Sequence, residues 1–226
     1  MKRAIVLLSG GLDSATALYW TRRRGFAVTA LTAHYGQRHA RELRAARAIA
    51  RAAGAAWLPV RLSLPWLKAS SLVDSRQRLP EIASARIGRG TIPSTYVPGR
   101  NTVFLALAAS LADAIDAEAV VIGSNSQDYS GYPDCRPAYN RAFQKVARLG
   151  TRRGTEGKRI ALLAPLQRLD KEGIVRLACR LNVPLELTWS CYQGGRRPCG
   201  RCDSCKLRAR GFASAGIADP ALRRAR

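Results

Sequence analysis

Two groups of residues in this 226-residue chain have the types and spacing for chemistry. The first is Ser9-Gly10-Gly11-Leu12-Asp13-Ser14, which follows an apolar run, Ala4 to Leu8, and leads into helical composition. Paired glycines let the backbone turn tightly and approach an anion. Amides at a helix start then point at that anion, and the helix dipole adds to the attraction. Ser9 and Ser14 supply hydroxyl donors. Asp13 would repel a bare phosphate, so its presence implies a bridging cation, most simply Mg²⁺. No lysine follows the glycines, which separates the string from a GxxxxGK[ST] loop. The second group is Cys191, Cys199, Cys202 and Cys205, with Gly194, Gly195, Pro198 and Gly200 among them. Short Cys-x2-Cys spacings suit tetrahedral thiolate coordination of Zn²⁺, and four protein ligands leave no open position, so such a zinc would be structural. An iron–sulfur cluster would use the same four residues. Cys179 lies in a helical stretch and reads as a small buried residue.

Three further strings stand near predicted strand ends or helix starts: Tyr35-Gly36-Gln37-Arg38-His39, Tyr96-Val97-Pro98-Gly99-Arg100-Asn101, and Asp128 to Pro137, which carries Tyr129, Tyr132, Asp134, Cys135 and Arg136. The Ser9–Ser14 string matches the SGGxDS signature of the PP-loop, or N-type ATP pyrophosphatase, superfamily. Together with the middle strings and the Cys-Gly-x-Cys-Asp-Ser-Cys run at Cys199 to Cys205, it resembles the 7-cyano-7-deazaguanine (preQ0) synthase family, from Ala4 to about Pro220. The chain departs from that family's pattern at His34 before Tyr35, at Ala138 after Pro137, and in the less typical run from Val120 to Asp128.

The resemblance implies an ATP-dependent carbon–nitrogen ligase of queuosine and 7-deazapurine biosynthesis. It would join 7-carboxy-7-deazaguanine and ammonia through adenylated intermediates, with ATP cleaved between the α and β phosphates. Leu8, Ser9, Gly10, Gly11, Leu12, Asp13, Ser14, Ala15, Thr16, Ala17 and Leu18 would form the nucleotide contact, with Asp13 on Mg²⁺ and Ser14 on the pyrophosphate. Arg100 and Arg136 would bind the substrate carboxylate or the phosphates through the guanidinium fork. Asp134 would read the guanine-like edge, and Tyr129 or Tyr132 would stack on the heterocycle. Cys135 is a thiol in the same motif, but an adenylate makes a thioester unnecessary. The alternative within the superfamily is an enzyme that modifies tRNA or another macromolecule directly.

The elements that must position these residues alternate. Strands are expected at Ala4–Leu8, Ala27–Thr32, Trp57–Leu62, Ala119–Gly123 and Ile160–Leu163. Helices are expected at Asp13–Arg24, His39–Ala53, Asn101–Asp116, Ala138–Leu149 and Lys171–Leu181. In the second helix Leu43, Ala46, Ile49, Ala50 and Ala53 share a face, leaving Arg41 and Glu42 elsewhere. In the third, Val103, Phe104, Leu107, Leu111 and Ile115 are expected inward. Ser63 to Pro98 carries four prolines and little periodicity, as a lid or binding segment would. The alternation predicts an α/β fold: a mostly parallel, doubly wound sheet with ligands at the carboxyl ends of its strands. The family resemblance makes it adenine nucleotide alpha hydrolase-like. Residues 1–185 would form the ATP-binding domain and residues 186–226 a small C-terminal zinc-binding segment packed on it.

The whole chain bounds this reading. With 47% hydrophobic residues it can bury a core, which excludes a disordered chain. No apolar run reaches membrane-spanning length, and Ser9 interrupts the first one too early for a signal peptide, so a cytoplasmic protein without a membrane partner is expected. The net charge of +23 comes from scattered arginines. It would attract nucleic acid without requiring it. A homodimer is the ordinary oligomeric expectation.

Overall fold

The computed structural model describes residues 1–38, 41–81, 92–128 and 131–223. Its centre is a five-stranded, wholly parallel sheet: β1 (Arg3–Leu7), β2 (Ala27–His34), β3 (Ala56–Arg61), β4 (Ala119–Val121) and β5 (Ala161–Leu163), in the order β3-β2-β1-β4-β5. Buried on both faces, such strands carry unbroken apolar sequence, as Ala4, Ile5 and Val6 do in β1. The order reverses between β1 and β4, which pair through Ala4↔Ala119, Ile5↔Val120 and Val6↔Val121. A crevice opens at such a switch point, beyond the carboxyl ends of the two strands.

The helices are α1 (Leu12–Arg23), α2 (Arg41–Ala52), α3 (Arg100–Ala114), α4 (Pro137–Gly150), α5 (Arg152–Thr155), α6 (Lys171–Arg180), α7 (Asp203–Ser214) and α8 (Pro220–Arg223). The core on one side of the sheet joins Val6, Leu12, Leu18, Ile49, Ile174 and Val175 to Cys191, Cys202, Cys205 and Phe212. The segment after residue 185 therefore shares its apolar core with α1, α2 and α6. The core on the other side gathers Ile5, Leu105, Ala108, Val120, Ile122 and Phe143.

The face of α3 differs from the sequence expectation. Leu105, Ala108, Ala109 and Ala112 are its buried residues, whereas Leu107, Leu111 and Ile115 lie at the margin of that core and Phe104 in a third cluster with Tyr35, Leu67 and Val97. Small alanines let the helix sit close to the sheet, so volume rather than hydrophobicity sets the contact face. In α2, Leu43 is only partly buried and Ala45 takes a place in the core. Among its described residues the proline-rich stretch holds the 3₁₀ turn Pro65–Ala69, which puts Leu67 in that third cluster. No helix among the described residues is long and apolar enough to cross a membrane.

Candidate active site

The loop after β1 enters α1 at Gly11, which caps the helix without any side-chain acceptor. The first-turn amides are thus available to an anion, as at other helix starts that bind phosphate. Two glycines make this geometry necessary. Gly10 has φ +87°, and a Cβ there would stand 2.5 Å from the Glu42 carbonyl oxygen and 2.7 Å from the Ala46 nitrogen in α2. Gly123, just beyond β4, packs so closely on α1 that a Cβ would lie 3.1 Å from the Ser14 nitrogen. Within the loop, Ser14 Oγ donates to the Gly11 carbonyl oxygen at 3.2 Å and accepts from the Ser9 amide at 3.2 Å.

Asp13 leaves the first turn of α1 toward a charged cluster. Its Oδ2 accepts from Lys171 Nζ and from Asn125 Nδ2, the latter at 3.0 Å, while its Oδ1 is buried without a hydrogen-bond partner. Lys171 opens α6, where Asp170 caps the helix by accepting from the Gly173 amide. Asp128 completes the cluster and accepts from the Asn125 amide at 3.1 Å. Burial raises the Asp128 carboxyl to about 6, with Lys171 lowering it and Asp13 adding to the rise. Burial pulls the Lys171 ammonium down, but Asp13 and Asp128 together outweigh that and leave it raised. A buried carboxylate oxygen without a donor, beside a second carboxylate, is a donor set suited to Mg²⁺.

A cavity of about 280 Å³ lies over this cluster. Asp13 and Lys171 line one side of it. Arg100 and Phe104, at the start of α3, line another with Tyr35 and Tyr132. Arg100 Nη1 donates to Tyr35 Oη at 3.2 Å, and Tyr132 Oη shares a 2.9 Å hydrogen bond with Thr95 Oγ1. A third wall comes from Trp189, Ser190, Tyr192, Ser204 and Arg208 in the C-terminal segment. The Trp189 amide donates to the Gly10 carbonyl oxygen at 2.8 Å, and its indole Nε1 donates to the Cys191 carbonyl oxygen at 2.9 Å. One residue thus ties the phosphate loop to the cysteine cluster.

The four cysteines are free thiols, and their sulfurs all lie within 4.8 Å of one another. Four sulfurs on one tetrahedral zinc would stand roughly 3.8 Å apart, from Zn–S bonds of about 2.3 Å. The Cys199 amide donates to Cys191 Sγ at 3.3 Å and the Cys202 amide to Cys199 Sγ at 3.4 Å. These N–H···S contacts turn the sulfurs inward together, and the cluster is compatible with zinc.

The structure redistributes several expected site residues. Leu8, Ser9, Gly11, Leu12, Asp13 and Ser14 line the cavity, but Ala15, Thr16, Ala17 and Leu18 are fully buried in the core, because the helix turns them away after one turn. Gly10 acts through its carbonyl rather than as lining. Asp134 is outside the lining: its Oδ2 accepts from the Asn101 amide at 2.9 Å and so caps α3 from a neighbouring loop. Arg136 is exposed at the start of α4 and is likewise outside the lining. Tyr129 and His39 lie outside the described residues. Cys135 lines the cavity, but burial, reinforced by Asp128 and Asp134, pushes its thiol up, and Asn101 Nδ2 donates to its sulfur at 3.1 Å. It is a neutral thiol, unlike an activated nucleophile. Of the departures from the family pattern, His34 and Ala138 are also outside the lining, whereas the Val120 to Asp128 run contributes Ile122, Gly123, Ser124 and Asp128 to it.

Sequence reasoning missed Lys171, Asn125, Glu42 and Trp189. A lysine in a first helical turn opposes the helix dipole, and that was the available signal for Lys171. Nothing local marks Asn125 or Trp189, whose roles depend on contacts to Asp13 and Gly10 far away in sequence.

Comparison with known proteins agrees with this geometry. A relative in Anaeromyxobacter sp. (strain Fw109-5), named 7-cyano-7-deazaguanine synthase, is 52% identical over 98% of this chain and 96% of its own length. A relative of the same name in Thermosynechococcus vestitus is 50% identical over 97% of this chain and 94% of its own. Among solved structures, NMN synthetase from Francisella tularensis aligns with a TM-score of 0.51 at 17% identity, covering 99% of this chain and 82% of that one. A predicted tRNA methyltransferase subunit from Methanocaldococcus jannaschii aligns at 0.50 and 16% identity, over 79% and 75%. At such identities these two share the fold alone. The family described as queuosine biosynthesis protein QueC matches residues 3–216, nearly the whole chain, and the protein belongs to that family.

Proposed function

We propose that this enzyme makes 7-cyano-7-deazaguanine from 7-carboxy-7-deazaguanine and ammonia, using ATP to activate the carboxylate. The observation that carries the reading is one cavity that combines an uncapped helix start, the Asp13–Lys171–Asp128 cluster and an Arg100–Tyr132 wall. A carboxylate is a poor electrophile, since oxide is not a viable leaving group. Transfer of an adenylyl group to a carboxylate oxygen makes that oxygen part of AMP, which can leave. Ammonia then gives a primary amide. A nitrile requires removal of the remaining oxygen, so a second adenylation follows, and two ATP molecules are consumed per nitrile.

The chain's own groups divide the work. Gly11, Leu12, Asp13 and Ser14 present the helix start to the leaving pyrophosphate. Lys171 Nζ stabilises charge that develops on it, a preorganised role that typically contributes several kcal/mol. Asp13, through its unpartnered Oδ1, and Asp128 would hold Mg²⁺, which when bound neutralises phosphate charge. Arg100 faces the substrate carboxylate with a permanently charged fork, and Tyr132 offers a ring to the heterocycle. Asp134 positions Arg100 and Asn101 by capping α3. Cys191, Cys199, Cys202 and Cys205 would hold zinc as a structural ion, saturated by four thiolates.

The test is a single incubation of the zinc-loaded protein with Mg-ATP, ammonium and 7-carboxy-7-deazaguanine, read by mass spectrometry and nucleotide chromatography. Nitrile with AMP and pyrophosphate is expected, and Asp13→Ala should abolish it. AMP formed only on addition of tRNA would overturn the reading.

A further inference from the structure

Three carboxylates line the cavity: Asp13, Asp128 and Glu42. The first two share Lys171. Glu42 is away from Lys171's hydrogen bonds and is attracted only by the charge of Arg100, and among the described residues no hydrogen bond to its carboxylate is present. It stands in the first turn of α2, and its backbone abuts Gly10, so it borders the loop between β1 and α1. A glutamate in a first helical turn is ordinarily a solvated partner of the helix dipole. Glu42 instead faces the cavity, where Arg100 attracts its charge and Tyr35 shares its surroundings. A half-buried carboxylate without a donor is solvated incompletely, at a cost, and burial raises the group to about 7 although Arg100 pulls it down. A ligand that brings both N–H donors and positive charge removes that cost.

The reaction supplies one such ligand. Of its reactants, the heterocyclic carboxylate and ATP are anionic and meet Arg100 and Lys171, and only ammonium is a small cation. We propose that Glu42 forms the ammonium subsite of the cavity and accepts the proton that frees ammonia for attack. This rests on the nitrile-forming reading above. In the step, ammonium gives one proton to the Glu42 carboxylate. The nitrogen lone pair forms the C–N bond at the activated carboxyl carbon. The C–O bond to the adenylyl group breaks, and its electron pair leaves on AMP. The nitrogen then sheds a second proton to solvent, which gives the neutral primary amide. No oxidant or reductant is involved.

The experiment separates activation from amination in Glu42→Gln, which keeps the shape of the side chain and loses its charge. Carboxylate-dependent exchange of labelled pyrophosphate into ATP needs no ammonium. It should stay within about threefold of wild type, while the KM for ammonium rises at least ~10-fold and amide and nitrile formation fall. Intact exchange also shows that the variant is folded. Glu42→Asp should recover part of the ammonium dependence. An unchanged ammonium KM overturns the proposal, and so does an equal loss of exchange, which would put Glu42 in the activation step. If wild type itself shows no exchange with this carboxylate, the reaction reading fails and takes the proposal with it.

Discussion

Lys171 begins α6, where a helix repels a cation, and Asp13 and Asp128 override that repulsion. A group held at such a position is expected to matter most when charge changes, as on a departing pyrophosphate. Lys171→Met should lower kcat/KM by about 10²–10³, measured by pyrophosphate release, and should also lower thermal stability, because it leaves Asp13 and Asp128 without their cation. Cys135 makes the opposite case. Its thiol is buried and neutral, so Cys135→Ser should retain kcat within about fivefold, and a covalent role would require a far larger loss. Asp128 carries a pH signature. Its raised carboxyl binds a proton more tightly folded than unfolded, so the stability it confers is full below about pH 4 and is lost as pH rises through about 6. Above that, the ionised group is a net cost. Ligand-free Asp128→Asn should therefore be more stable than wild type at pH 8, by roughly 1–3 kcal/mol, and indistinguishable near pH 4, while losing activity. Denaturant titrations at the two pH values would read it, and no difference at pH 8 would contradict it.

The elements show why some of this was legible in sequence. SGGLDS declares a strand-to-helix anion loop because the requirements are local: glycine at φ +87°, a helix start, hydroxyls on the same turn. The cysteine spacing is equally local. The face of α3 was misread because hydrophobic periodicity favours Leu107 and Leu111, while packing on β1 and β4 selects the alanines. Asp134 looked like a recognition group in its motif, and only the tertiary structure shows it capping α3. The link from Trp189 to Gly10 and Cys191 belongs to this scale as well. It predicts that, in protein loaded with zinc, stripping the metal with a chelator accelerates amide hydrogen exchange at Trp189 and across Ser9 to Ser14. The Kd for ATP should rise about tenfold, since structural zinc sites can contribute on the order of 10 kcal/mol to ordering a segment. Unchanged ATP affinity after complete zinc removal would show the two sites to be independent.

At the scale of the whole molecule, the C-terminal segment is a wall of the cavity as well as the carrier of the four-cysteine cluster. Cys191, Cys202 and Phe212 share a core with α1 and α6, and Trp189, Tyr192 and Arg208 close the cavity. Arg208 is buried; its Nε and Nη2 donate to Asp219 Oδ2 and Oδ1 at 2.6 and 2.9 Å, and its Nη1 donates to Thr188 Oγ1 at 2.7 Å. In the proposed reaction, sheet, loop and C-terminal wall serve one chemistry, removal of both carboxylate oxygens as parts of AMP. The most direct measurement is isotopic. With 7-carboxy-7-deazaguanine labelled by oxygen-18 in both carboxylate positions, the account predicts two labelled AMP molecules per nitrile, each carrying one heavy oxygen. Nitrile formation with unlabelled AMP, or with the heavy oxygen in pyrophosphate or phosphate, would contradict it.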